Sequence, residues 1–396
     1  MGVLLLRQTA SILSTYAADV SGVCSALYEM GGMTVMHDAS GCNSTYNTHD
    51  EPRWYDMPSM VYISALSETE AMLGDESKII DDISEAALEL KPRFIAIAGT
   101  PIPMMMGTDF TGMAKDIEQR TGIPALGFAT NGMHSYLLGA GAAFKSVAER
   151  FCHRSVKAKP LSKSPLINLL GATPLDFSVT GGIQAIKKFF EDEGFTVQST
   201  WAMNSSWEEM TTAGAAHVNI VLSACALPLA EVLKSIYGTP YVAGLPYGRG
   251  FSSALAEKVR KAASCCYEEI SAPLSSCNCK KPIYIIGEAV ASSSIKNALQ
   301  YDYGIKNVHV ISALENGSFA LDKSDFELSE EDDIFKILAG GGTVIADPLY
   351  KPAAERGGAK FIALPHEGYS GRIFRRNIPI LAGDSFNKWI EGKLEL

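Results

Sequence analysis

Residues 21–54 read SGVCSALYEMGGMTVMHDASGCNSTYNTHDEPRW, and this stretch decides how the rest of the chain is taken. Two cysteines, Cys24 and Cys42, flank a short apolar run at 33–36 that reads as a buried strand. Cys24 sits in a helix-like segment just after Gly22. Cys42 closes the turn His37-Asp-Ala-Ser-Gly41-Cys42, where Gly41 lets backbone N–H groups approach a bound anion or an inorganic cluster. Taken alone, the pair also fits two buried structural thiols.

Outward from that stretch the chain is long for a single core. Its 396 residues predict two or three domains. With 47% hydrophobic and 20% charged residues and no apolar run long enough to span a bilayer, a globular protein without membrane spans is expected. The N-terminal apolar run lacks a basic segment before it and is interrupted by Arg7, so it does not read as an export signal. A cytoplasmic location is expected. Eight cysteines in a reducing compartment read as metal ligands, catalytic groups or core residues before disulfides. The net charge of −10 argues against nucleic acid, which needs a basic stripe.

From 91 onward, short β-rich runs alternate with helical patterns, which predicts parallel sheets with helices on their faces. Strands are expected at 93–98 and 124–128, then at 166–170, 196–200, 218–222 and 241–243, then at 283–286, 308–311, 343–346 and 361–364. A long helix is expected from 251 to about 270, and a closing helix over 377–396. The basic, proline-bearing stretch 154–165 reads as a linker. The fold class expected is α/β, with three Rossmann-like units of parallel sheet flanked by helices, spanning 1–158, 159–280 and 281–396.

Several motifs are absent. There is no P-loop, no nucleophile elbow and no zinc helix. Gly139-Ala-Gly141-Ala-Ala-Phe144 begins like a dinucleotide fingerprint, but Phe144 occupies the third small position. Cys265, Cys266, Cys277 and Cys279 lack zinc spacing.

The G-x-C and H-x-x-x-G-C pair is followed by the acidic helix 68–75, the strand 91–100 and Met106-Gly-Thr-Asp-Phe110. Together they resemble nitrogenase component 1 and its relatives: the molybdenum-iron protein subunits, their cofactor-assembly scaffolds, the dark protochlorophyllide and chlorophyllide reductases, and a cyclase that reduces a nickel tetrapyrrole. The resemblance covers essentially the whole chain. It implies an iron–sulfur cluster at a subunit interface, electrons from a separate ATP-dependent iron–sulfur reductase, and a substrate or cofactor site between three domains.

Carried over residue by residue, Cys24 and Cys42 fall on the first two cluster positions, with His37 and Gly41 in the cofactor-binding turn. Pro101 falls on the third position and cannot ligate iron. A four-iron, four-sulfur cluster takes four thiolates, so two cysteines from each of two chains on a twofold axis would complete it. A second component 1-like chain in a heterotetramer would serve as well, and loss of the cluster is the remaining alternative. On the substrate side, Cys225 lies near the family's cofactor cysteine and His366 near its histidine; His134 stands at another strand end. His134 and His366 are therefore the candidate catalytic residues, and Cys225 a candidate cofactor contact. His49 and Arg53 read as lining the docking face or the cluster pocket, or as solvated loop residues, and Met104 to Met106 as packing.

The expected function is a reductase subunit acting on a small-molecule or tetrapyrrole substrate. A non-catalytic scaffold for a metallocofactor is the alternative. A periplasmic-type binder is a third class, disfavoured by the N-terminus.

Overall fold

The computed structural model describes residues 11–14, 18–41, 43, 50–156, 164–265, 281–328 and 330–394. Cys42, His49, Cys266, Cys277 and Cys279, the side chain of Cys265 and most of the expected linker lie outside the described residues.

Short runs rich in Ile, Val, Leu and Ala form most of the strands, and those at 33–36, 95–98 and 218–221 are buried throughout, as the middle of an all-parallel sheet requires. The first sheet contains β1 (Met33–Met36), β2 (Met60–Ile63), β3 (Ile95–Ala98) and β4 (Ala125–Phe128), in the order β2-β1-β3-β4. Its helices are α1 (Asp19–Leu27), α2 (Glu68–Leu73), α3 (Ser77–Leu90), α4 (Pro101–Met106), α5 (Phe110–Thr121) and α6 (Tyr136–Phe151). The second sheet contains β5 (Leu166–Leu170), β6 (Thr196–Trp201), β7 (Val218–Val221) and β8 (Tyr241–Ala243), in the order β6-β5-β7-β8. With it go α7 (Pro174–Phe177), α8 (Gly182–Asp192), α9 (Trp207–Thr211), α10 (Leu227–Tyr237) and α11 (Arg249–Cys265). The third sheet contains β9 (Ile283–Gly287), β10 (Val308–Ser312), β11 (Phe326–Glu327), β12 (Thr343–Ala346) and β13 (Lys360–Ala363), in the order β11-β10-β9-β12-β13. Its helices are α12 (Ala289–Tyr303), α13 (Glu331–Leu338), α14 (Lys351–Arg356), α15 (Glu367–Ser370) and α16 (Ser385–Glu391).

All strand pairs within the three sheets are parallel. Each sheet grows first to one side and then to the other, so each has a topological switch point: between β1 and β3, between β5 and β7, and between β9 and β12. Loops at the carboxyl ends of those strands are where open α/β sheets place ligands.

The cores are shared between units. α1 and α6 cover one face of the first sheet and continue into the second sheet through α10 and Trp201. α11 and α12 fill the space between the second and third sheets.

The expected closing helix is shorter than the pattern suggested. Pro379 and Gly383, the latter at φ 59, interrupt it, and the helix runs only over Ser385–Glu391. Gly139 and Gly141 lie inside α6, so they open no phosphate-binding turn.

Candidate functional site

The first switch point holds the thiol side. His37 follows β1, and Thr100 follows β3 and donates its hydroxyl to the His37 carbonyl at 2.8 Å. Pro101 opens α4 at its first turn, where a missing N–H costs nothing. Cys24 is a free thiol in α1 with no exposed surface. Burial, helped by the charge of Glu51, pushes its pKa far up, so a thiolate there needs a compensating cation.

His37 is buried, and burial holds its pKa down at about 4, so the ring is neutral. Ser64 Oγ donates to the Asp38 carbonyl and accepts the Asp38 N–H. Ser64 Oγ also lies 2.8 Å from His37 Nδ1. Nε2 is buried with no hydrogen-bond partner among the described residues. A Cβ built on Gly41 meets nothing within 4 Å among the described residues, so this glycine answers no packing need within them.

A sealed free thiol, and a turn glycine whose Cβ would meet no described atom, fit a thiolate-ligated cluster. No group of three or more His, Cys, Asp and Glu side chains among the described residues is placed to hold a metal. Ligands beyond Cys24 must come from outside that set or from another subunit.

Arg53 corrects an expectation. It is neither solvated nor lining a docking face but 4% exposed, bound to Glu51 at 2.7 Å, Glu29 at 3.0 Å and the Ser25 carbonyl at 2.8 Å. Met104 and Met105 also depart from the packing role, since both are exposed on the short α4.

The second and third switch points face each other and hold a buried cluster of acid groups. Asp176 comes from the α7 turn after β5, Glu288 from the end of β9, Asp347 from the end of β12, and His366 from the end of β13. Tyr136, at the start of α6 in the first unit, donates its hydroxyl to Asp176 Oδ1 at 2.5 Å. His366 Nε2 lies 3.4 Å from the same oxygen. One residue from each unit thus meets at Asp176.

The Gly368 N–H donates to His366 Nδ1 at 3.1 Å, which places the neutral ring's proton on Nε2. Burial disfavours the imidazolium, but Asp176, with Asp347 and Glu288 behind it, outweighs burial and raises the His366 pKa. Protonating the ring costs the Gly368 hydrogen bond. Asp347 holds this loop by accepting from the His366 N–H and from Ser370 Oγ, each at 2.8 Å. Glu367 ties the second unit to the third by accepting from Ser178 Oγ at 2.8 Å, and within the third unit both its oxygens accept from Arg375.

Glu288 caps α12 and accepts from Val290, Ala291 and Ala224 N–H groups. Burial first, and the charge of Asp176 second, raise its pKa to about 7 despite those donors. A carboxyl whose folded pKa exceeds its unfolded value binds its proton more tightly when folded. Its contribution is present below the unfolded value of 4.5 and is lost as pH rises through about 7. Between pH 5 and pH 8 this group should therefore lower stability. Urea denaturation of wild type and Glu288→Gln at both pH values measures it: the variant should lose less stability over that interval. Identical pH dependence in the two proteins refutes the assignment.

A cavity of about 70 Å³ opens beside this cluster, between α7, α8, α12 and the loop after β13, with Asp176 and His366 in its lining. Cys225, fully buried after β7, directs its thiol at the Gly171 carbonyl at 4.0 Å and lines no part of that cavity. His134 is separate from His366. Half-exposed, it pairs with Glu315 at 3.0 Å across the junction of the first and third units, on a second cavity of about 290 Å³. Tyr369 lines that second cavity and also packs edge-on against His366, so the two histidines flank one aromatic wall.

Sequence reasoning missed Tyr136, Asp176, Glu288 and Asp347. The signal for Glu288 and Asp347 was an acid placed just after a buried strand.

No helix among the described residues is long and apolar enough to cross a membrane. The chain is 25% identical over 254 residues to the nitrogenase iron-molybdenum cofactor biosynthesis protein NifE of Clostridium pasteurianum, covering 61% of this chain and 53% of that protein. NifE of Bradyrhizobium diazoefficiens is 24% identical over 336 residues, covering 80% of this chain and 58% of that protein. The chain thus spans little more than half the length of these curated relatives. Its fold matches the solved structure "Nitrogenase Cp1 at pH 6.5", with a TM-score of 0.66 and 14% identity over 98% of this chain and 93% of that one. The family model described as Nitrogenase component 1 type Oxidoreductase matches residues 20–336, and the chain belongs to that family.

Proposed function

We propose that the chain is a reductase subunit that takes low-potential electrons through an iron–sulfur cluster and reduces a small substrate at the seam between its units. The observation that carries this reading is the Tyr136–Asp176–His366 cluster, where all three units meet. Reduction of most substrates consumes protons with the electrons, and the Tyr136 phenol and the His366 imidazole on either side of the Asp176 carboxylate are the proton-bearing groups gathered at this seam. Tyr136 holds its proton firmly, because burial and Asp176 raise its pKa. His366 presents Nε2–H towards Asp176.

Cys24 and Cys42 would hold the cluster with two thiolates from a second subunit, either a copy of this chain or a second component 1-like chain. The cluster, when bound, supplies one-electron transfer. An ATP-dependent iron–sulfur reductase is the proposed electron donor, and the cytoplasm the proposed location. The second reading is a scaffold that carries a metallocofactor, and the NifE relatives named as cofactor biosynthesis proteins favour it.

Anaerobic purification with iron, sulfide and EPR measurement tests the cluster. Cys24→Ser and Cys42→Ser are each expected to lower bound iron at least tenfold and abolish the cluster signal. Unchanged iron in both would falsify the assignment. Transfer of iron to an acceptor protein without reductant-driven turnover selects the scaffold.

A further inference from the structure

Granted that the seam is where substrate is reduced, the state of His366 matters, and Tyr136 meets its surroundings at both edges of the ring. The Nε2 edge comes first. Tyr136 donates its hydroxyl to Asp176 Oδ1 at 2.5 Å. His366 Nε2 lies 3.4 Å from that same oxygen, beyond the length of an N–H···O hydrogen bond. A carboxylate that accepts a hydrogen bond is a weaker base and attracts a neighbouring cation less. The phenol therefore blunts the pull of Asp176 on an imidazolium.

The Nδ1 edge comes second. The Gly368 N–H donates to Nδ1 at 3.1 Å, so the ring takes a second proton only by giving up that bond. Gly368 is seated against Tyr136: a Cβ built on it would lie 3.0 Å from Tyr136 Cε1 and 3.2 Å from His366 Cε1. The tyrosine ring thus backs the donor at Nδ1, while its hydroxyl engages the acceptor that faces Nε2. Both contacts favour the neutral imidazole.

We infer that Tyr136 is a positioning residue, which through Asp176 and Gly368 sets how readily His366 takes up its second proton. Burial opposes the imidazolium, and Asp176, Asp347 and Glu288 favour it. The remaining titratable neighbours are Tyr247 on the shared cavity, Tyr369 edge-on to the ring with Tyr350 behind it, and Glu367, whose charge is paired with Arg375. Among these groups Tyr136 alone hydrogen-bonds the oxygen that faces Nε2. The ring belongs to the third unit, its acceptor to the second and the tyrosine to the first, so the protonation of His366 depends on how the three are docked.

NMR titration of the imidazole, with histidine labelled by nitrogen-15 and carbon-13 in the anaerobically purified full chain, tests the inference. His366→Gln assigns the signal. Tyr136→Phe keeps the ring and loses only the hydroxyl, and should raise the midpoint of His366 by at least about half a unit, roughly threefold in proton affinity. Fluorotyrosine at position 136 is a stronger donor and should lower the midpoint below that of the wild type, a reversal that a purely structural role would not give. Tyr369→Phe removes a hydroxyl that has no hydrogen-bond partner among the described residues, and should leave the midpoint within about 0.2 of a unit. A midpoint that stays or falls in Tyr136→Phe, that fails to fall with fluorotyrosine, or that moves equally in Tyr369→Phe overturns the inference, as does a ring that does not titrate between about pH 4 and 10. If Tyr136→Phe does not fold, fluorotyrosine carries the test alone. Iron and reductant-driven turnover are measured on the same samples. Turnover with an unmoved midpoint sinks this inference and leaves the proposed function standing, whereas the expected shifts without iron or turnover in the wild type do the reverse.

Discussion

Arg53→Met should cost about 3–5 kcal/mol of stability, read as a lower urea midpoint with an unchanged m-value. The guanidinium is 4% exposed and holds three acceptors at once: Glu51, Glu29 and the carbonyl of Ser25 in α1. Its face also lies 4.5 Å from the Tyr28 ring. Burial works against its charge, and Glu51 and Glu29 more than offset that, so Arg53 stays protonated. Methionine fills much of the volume but removes the cation and leaves Glu51, 1% exposed, facing a dry interior without it. Breaking a buried pair from one side is the costly case. Arg53→Lys keeps the charge but cannot span three separated acceptors, so it should fall between methionine and wild type. Pairing Arg53→Met with Glu51→Gln should recover part of the loss, because the second change removes a buried negative charge that has lost its cation. A loss below about 1 kcal/mol in Arg53→Met would show that the network is relaxed by water and does not fasten the 51–53 turn to α1.

What the sequence made legible follows the range of the physics involved. Parallel strands such as Leu166–Leu170 and Thr343–Ala346 are short apolar runs between Gly, Pro or Asn, a local pattern, and their bounds fall where the pattern places them. α10 ends at Gly238, whose left-handed φ of 74 caps it, again a local signal. β11 is two residues long with both residues exposed, below the length at which alternation means anything.

The site was harder to read because its contacts are not local. Tyr136 and Asp176 are 40 positions apart, and Ser178 and Glu367 are 189 apart. Arg53 looked like a loop residue because its partner Glu29 lies 24 positions upstream, in the turn after α1. Glu288 and Asp347 hide for a different reason. Each also caps the helix that follows it, through Val290 and Ala291 or through Leu349, and a capping acid at a strand end is ordinary. Only the facing switch points of the second and third sheets turn these caps into one cluster.

Gly22→Ala should be nearly as damaging as Arg53→Met, for a steric reason that joins the two halves of the site. α1, which carries Cys24, crosses α6, which begins with Tyr136, backbone against backbone. A Cβ on Gly22 would sit 1.9 Å from the Tyr136 carbonyl oxygen and 2.7 Å from the Ala140 nitrogen. From the other side, a Cβ on Gly139 would sit 1.8 Å from the Asp19 carbonyl oxygen. Neither obstacle is a flexible side chain, so the helices must separate by about 1 Å or more, beyond the ordinary overpacking cost of about 1–3 kcal/mol. Loss of about 3 kcal/mol or more is expected by urea denaturation. In the fraction that still folds, Tyr136 should move off Asp176, while Cys24 keeps its thiol. Gly41→Ala is the contrasting variant. Its Cβ meets no described atom within 4 Å, so its stability should stay within about 0.5 kcal/mol of wild type. If Gly41 instead leaves room for a cluster beside Cys42, the same variant should lower bound iron. A stable Gly41→Ala protein with reduced iron, beside an unstable Gly22→Ala protein, would separate a glycine that admits a ligand from one that admits a helix.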